Sequence, residues 1–168
     1  MRRISAMVLL CLCSFAGPAL ADDAAAPARL ASCAALLPHP RNHDEQSVRD
    51  AEHAWLVSEM SGDTATLGCI LDDGYTNLSF DGKTYLKADI VKHAATRKGK
   101  NLPVPVVVLT ILVQGHSATA WSVQQKHDQD GKPITVYFAD SLEFRNGAWH
   151  PYFSVDSVAA APGLQIKD

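Results

Sequence analysis

The sequence predicts an α+β fold: three helices with one strand inserted among them, then four antiparallel strands that the helices cover on one face. Three observations carry this. Apolar residues recur at helical spacing over residues 44–61, 63–71 and 84–95. From residue 104 onward the period becomes that of strands. The later apolar runs are separated by a few turn-forming residues, which suits hairpins, because parallel neighbours need long crossovers. Runs of helices followed by runs of strands place the helices on one side of the sheet.

Each element has a local reason. Over residues 44–61, Val48, Ala51, Trp55 and Leu56 form an apolar stripe, Asp44 can cap the start and Glu45 suits the first turn. Gly62 stops this helix. Asp63 can cap a shorter one holding Ala65, Leu67, Ile70 and Leu71. Residues 75–80 read as a strand, with Asp81-Gly82 as a tight turn. Thr84 can cap a third helix that buries Leu86, Ile90, Val91 and Ala94.

The segment "VPVVVLTILV", residues 104–113, is apolar on both faces and reads as a strand covered on both sides. "HSATAWSVQQKHD" follows across Gly115, and "QDGKP" turns the chain into "ITVYFADSLEFR". Asn146-Gly147 is a hairpin signal leading into "AWHPYFSVDSV". One helical layer covers only one sheet face. The second face of 104–113 therefore predicts a homodimer packed sheet against sheet.

The N-terminus carries a processing signal. Arg2 and Arg3 precede an apolar run over residues 4–15, Gly17-Pro18 breaks it, and Ala19-Leu20-Ala21 fits a small-residue cleavage site. Residues 1–21 read as a secretory signal peptide, and the run is too short for a comfortable membrane anchor. Export to the periplasm or beyond follows. "LASC", residues 30–33, matches a lipobox but lies beyond Asp22, Asp23 and Arg29, outside the apolar core, so the match reads as chance. Residues 22–43, rich in Ala and Pro, form an extended leader, and residues 44–160 form one domain.

Cleavage at Ala21 leaves 147 residues with 13 basic and 18 acidic side chains, a net charge near −5. That disfavours nucleic acid and anionic membranes as partners. No later segment is long and apolar enough to be a transmembrane helix. Two cysteines remain, Cys33 and Cys69. In an oxidising compartment they favour one disulfide tethering the leader, with two buried free thiols as the alternative. The seven histidines are scattered, without H-x-H or HExxH spacing, and no metal site is expected. Glycine-rich phosphate loops and G-x-S-x-G elbows are also missing, and no cofactor is expected.

One residue stands against the pattern. In "ITVYFADSLEF", one strand face holds Ile134, Val136, Phe138, Asp140, Leu142 and Phe144. A carboxylate on an apolar face must be paired or functional, since burying an unpaired charge is costly.

Several residues together are familiar in order and spacing: Glu52 and Trp55, Gly62-Asp63 before Leu67, Tyr75, Asp81-Gly82-Lys83, Phe138 and Asp140, then Gly147 and Trp149. In these the chain resembles the NTF2-like superfamily, and within it the SnoaL-like and DUF4440 group, over roughly residues 44–158. The resemblance implies an NTF2-like cone, a curved antiparallel sheet on three N-terminal helices with a cavity between. It also implies a range of roles, from isomerisation, dehydration and cyclisation to plain binding, and the fold does not choose among them. The chain departs from the pattern around Val136-Tyr137 and at Ser154-Val155-Asp156, so no catalytic role carries over there.

With such a cavity, Asp140 becomes a candidate general acid or base, and Asp156 a candidate partner carboxylate. Trp55, Tyr75, His93, Trp121, Phe138 and Asp140 are the expected cavity residues. The alternative for Asp140 is a structural pair with a buried donor such as Trp121 or a histidine. The expected function is binding of a small apolar ligand, or of a protein partner in or around the cavity. The second reading is an isomerase, dehydratase or cyclase using Asp140.

Overall fold

The computed structural model describes residues 33–127 and 131–158. The signal segment 1–21, residues 22–32 of the leader and residues 159–168 lie outside the described residues. In chain order the elements are α1 (Glu45–Ser61), α2 (Thr64–Ile70), β1 (Thr76–Leu78), β2 (Thr84–Leu86), α3 (Lys87–Ala95), β3 (Thr110–Gln114), β4 (Ser117–His127), β5 (Pro133–Arg145) and β6 (Ala148–Val158).

α1 starts and stops where its sequence dictates. The Asp44 carboxylate accepts from the Ser47 N–H at 2.9 Å, and the Ser47 hydroxyl faces the Asp44 N–H in return. Gly62 ends the helix at φ 74°, and a Cβ there would lie 2.5 Å from the Lys98 backbone nitrogen. Only glycine satisfies both demands. Asp63 then caps α2 through the Thr66 N–H.

The six strands form one curved sheet in the order β2-β1-β6-β5-β4-β3. Every neighbouring pair is antiparallel except β1 and β6, which run parallel. Two details differ from the sequence expectation. Thr84 is not a helix cap but part of β2, and α3 begins at Lys87, with the Asp89 carboxylate accepting from the Leu86 N–H. The inserted strand is thus a hairpin, and Asp81-Gly82 lies in its turn.

The strand expected over 104–113 is also shorter. Only Thr110–Gln114 pairs with β4, and residues 101–109 run as irregular chain. Pro103 and Pro105 lack the N–H groups that a ladder needs. The segment is held instead by side chains: Ser122 Oγ–H donates to the Val108 carbonyl and the Arg49 guanidinium to that of Leu109. Val106 is 96% exposed, so the expected cover on both faces is not present within the chain.

Two apolar clusters hold the layers together. Val48 and Ala51 of α1 pack on Leu109, Ile111, Ala118, Ala120, Leu142 and Trp149. Trp55 packs with Leu67, Ile70, Leu71, Tyr75 and Ala94. Trp149 lies in the first cluster and also donates its indole N–H to Ser47 at 2.8 Å, tying β6 to the start of α1. Cys33 and Cys69 form the disulfide, with Cα atoms 5.2 Å apart, so the leader is fastened to α2.

Candidate functional site

α1 carries one carboxyl within its buried stripe. Glu52 lies four residues after Val48 and three before Trp55, and it is 4% exposed. Val48 and Ala51 pack on the sheet, while Trp55 packs on α2 and α3. Glu52 falls between these clusters and helps line a cavity of about 320 Å³. Opposite it stand Tyr75 and Asn77 around β1, Phe138 and Asp140 of β5, and Ser154 and Asp156 of β6.

A bulge in β6 aims the last two. Ser141 pairs with Phe153, but Leu142 pairs with Pro151, leaving Tyr152 as an extra residue. Before the bulge, Trp149 and Pro151 oppose Phe144 and Leu142 on the helix-facing side. After it, Ser154 opposes Asp140 and Asp156 opposes Phe138. One inserted residue therefore moves the even-numbered side chains of β6 onto the cavity face.

The floor of the cavity is a hydrogen-bonded chain. The Tyr75 hydroxyl donates to Ser154 Oγ at 2.9 Å, and the Ser154 hydroxyl donates to Asp140 Oδ1 at 2.5 Å. All three side chains are buried. Burial pushes the Tyr75 phenol well above its ordinary range, the bond with Ser154 opposes this, and the charge of Asp140 adds to it. Tyr75 thus stays protonated and acts only as a donor toward Ser154. Burial raises the Glu52 carboxyl well above 4.5, and the nearby charge of Asp140 raises it further. Burial thus favours the protonated form of Glu52 beside Asp140.

Three buried side-chain atoms have no hydrogen-bond partner among the described residues: Glu52 Oε1, Trp55 Nε1 and Asn77 Oδ1. All three residues line this one cavity. At the rim, the Arg97 guanidinium donates to Glu59 Oε1 at 2.6 Å. The adjoining cleft shares Glu59, Asn77, Ile90, Arg97 and Asp156 with the cavity.

Of the six expected cavity residues, Trp55, Tyr75, Phe138 and Asp140 line it, as does Asp156. Trp121 does not. Asp140 pairs with Ala120, so the neighbouring Trp121 projects to the opposite sheet face, where it is 40% exposed. His93 lines the adjoining cleft instead, because the buried face of α3 is centred on Ala94. Among the described residues, Ser154 is a donor to Asp140. Glu52, Asn77 and Ser154 were not among the expected site residues. A carboxyl at i+4 from Val48 and i−3 from Trp55 was the signal available for Glu52. Nothing in the sequence announces the bulge that turns Ser154 inward.

No group of His, Cys, Asp and Glu among the described residues is arranged to hold a metal ion. No described helix is long and apolar enough to cross a membrane.

Helices on one face of a curved six-stranded sheet, with a polar-floored cavity between, make this an α+β cone of the NTF2-like fold. Solved structures bear this out. An NTF2-like protein from Cytophaga hutchinsonii is similar at 14% identity and a TM-score of 0.54, over 69% of this chain and 99% of that one. One from Pseudomonas putida, of unknown function, is similar at 14% identity and 0.55, over 73% and 91%. A candidate dehydratase of the NTF2-like family from Streptomyces avermitilis is similar at 16% identity and 0.52, over 69% and 96%. At such identities the likeness is one of fold. No family model matches the sequence. No curated protein matches it either. The narrower SnoaL-like and DUF4440 resemblance therefore rests on the quoted residues alone.

Proposed function

We propose that this protein binds a small organic molecule in the cavity floored by Asp140. The observation that carries the reading is that Glu52, Trp55 and Asn77, each with a buried side-chain atom lacking a partner among the described residues, all line one cavity. Each such atom costs about 1–3 kcal/mol when left unsatisfied. A ligand with matching polar groups relieves that cost, and Trp55, Tyr75 and Phe138 give its apolar body a surface. The volume of about 320 Å³ lies at the small end of ligand sites. The test is a fragment screen by ligand-observed NMR against the oxidised protein and against Ser154→Phe, which fills the cavity floor. Hits lost in the variant support the reading. An empty screen, or hits retained in the variant, overturns it.

A second reading is favoured by the unequal carboxyls. Glu52, its carboxyl raised by burial and by Asp140, lines the same cavity as Asp140, so one ligand could meet both. That arrangement suits a proton-transfer reaction, isomerisation or dehydration, with Asp140 as base and Glu52 as proton donor to a developing oxyanion. The similarity to a candidate dehydratase is in keeping with this at the level of fold. Deuterium exchange into a bound ligand at carbon, abolished in Asp140→Asn, is the measurement that separates catalysis from binding.

We also propose that a second copy covers the outer sheet face. Three of the rows that cross it hold no charge: Leu112-Thr119-Ser141-Phe153-Thr76, Thr110-Trp121-Ala139-Val155-Leu78 and Val123-Tyr137-Ser157. The carboxylate of Glu143 falls on the row beyond them, Gln114-Ser117-Glu143, so two acidic chains can meet over the three middle rows without opposing carboxylates. The Cys33–Cys69 bridge is in keeping with an oxidising compartment, periplasmic or extracellular.

A further inference from the structure

We infer that the ligand of this cavity is a single-chain amphiphile, an uncharged hydrogen-bonding head on an unbranched hydrocarbon chain. It lies along a passage that begins beside α3 and ends under residues 104–109. The inference rests on the small-molecule reading of the cavity and adds the shape and polarity of its occupant.

The cavity has a neighbour on each side. Toward α3 it shares Glu59, Asn77, Ile90, Arg97 and Asp156 with one cleft. Toward the irregular chain before β3 it shares Glu52, Leu56, Pro105, Val107 and Leu109 with a second, of about 420 Å³. Among the described residues the two clefts have none in common, so the cavity lies between them. A compact ligand confined to the middle would use only part of this space.

The two ends differ in chemistry. Among the described residues that line the α3 cleft, all but Ile90 have polar side chains. Both signs of charge are present there, Lys92 and Arg97 with Glu59 and Asp89. Such a lining suits a hydroxyl or amide head, which donates and accepts, more than a net charge of either sign. The second cleft has one wall from residues 104–109, and that wall is wholly apolar: Val104, Pro105, Val106, Val107 and Leu109. α1 supplies the opposite wall, with Leu56 among polar residues. Between the ends, Trp55, Tyr75 and Phe138 line the cavity. A head at α3 and a tail along the 104–109 wall match this order.

The apolar wall is built into the fold. Pro103 and Pro105 cannot donate to a ladder, so this stretch stays out of the sheet and leaves a cleft beside α1. Ser122 holds the Val108 carbonyl, and Arg49 of α1 reaches across to that of Leu109. Val106 lines the cleft and is 96% exposed. A hydrocarbon chain laid along the wall takes that apolar surface out of water.

The experiment titrates the oxidised protein with 1-hexanol, 1-octanol, 1-decanol and 1-adamantanol, followed by amide NMR. Decanol and adamantanol both carry ten carbons, one as a chain and one as a compact cage. Affinity should rise about three- to fourfold per added methylene from hexanol to decanol. Decanol should bind at least about tenfold more tightly than adamantanol. Its titration should move the amides of Val106 and Val107, while hexanol moves those around Asn77 and Arg97. Leu56→Trp narrows the junction between cavity and second cleft and should level decanol with hexanol. Val106→Glu, at an exposed position, should also shrink the gain of decanol over hexanol, so the test does not depend on Leu56→Trp folding. Adamantanol binding as tightly as decanol, or decanol shifts that spare Val106 and Val107, would overturn the inference while leaving the cavity reading intact. So would a chain-length gain that survives every variant that folds. Failure of all four alcohols to bind would remove the inference together with the reading it rests on.

Discussion

Ser154 and Asp140 face each other across the β5–β6 ladder, and the serine hydroxyl donates to the carboxylate at 2.5 Å. The same serine accepts from Tyr75, so one small side chain links the chain just before β1 to the floor of the cavity. Removing it strips a partner from both neighbours at once.

Ser154→Ala should therefore lower stability by about 2–3 kcal/mol, since a hydrogen bond to a charged acceptor is lost and the Tyr75 hydroxyl is orphaned. Urea unfolding of the two proteins measures this. A cost near zero would mean that the bond with Asp140 is not maintained in solution.

Glu52 gives the pH dependence its sign. Its folded pKa is raised above 4.5, so between 4.5 and the folded value the unfolded chain binds fewer protons than the native one. Stability then falls as pH rises through that window, by about 1.4 kcal/mol per unit, and levels off once Glu52 ionises in the fold. Glu52→Gln removes this dependence. The variant should be close to the parent in stability near pH 4 and more stable than it at pH 8. Thermal unfolding at several pH values checks the difference. A parent that gains on the variant as pH rises would show that Glu52 is not held protonated.

The disulfide closes a loop with a sequence separation of 36. Chain-entropy arguments give about 4 kcal/mol for a loop of that size. Cys69→Ser should lose roughly 3–4 kcal/mol against denaturant, and reductant should lower the stability of the parent but not of the variant. Equal sensitivity of both proteins to reductant would contradict this.

Trp121→Lys places a charge in the middle row of the outer face, between Thr110 and Ala139. It should convert a dimer into a monomer in sedimentation while leaving the helix-facing core untouched, because Trp121 packs in neither apolar cluster. A parent that sediments as a monomer would end the dimer proposal.

The legible parts of this molecule were those set by neighbours in sequence. Asp44, Gly62 and Asp63 act on backbone groups within a few residues, so the bounds of α1 and the start of α2 could be read directly. The Asn146-Gly147 hairpin was legible for the same reason, both residues having positive φ. The third helix was misplaced at its start because Thr84 suits both a cap and a strand, and only its pairing with Leu78 decides between them. The strand over 104–113 was overread because apolar content does not reveal that Pro103 and Pro105 cannot join a ladder on both edges.

By itself, the sequence determined the α+β order, the alternation that turns Asp140 toward the helices, and the two cysteines left to pair. Those properties depend on local periodicity and composition. The tertiary structure alone decided which donor meets Asp140, that Glu52 comes to share its cavity, and that Trp121 faces away. The first depends on one unpaired residue, Tyr152, in β6, the last on the β4–β5 register, and the position of Glu52 on how α1 packs on the sheet. Register is a property of two strands together, and a shift of one residue reverses which side chains reach the cavity.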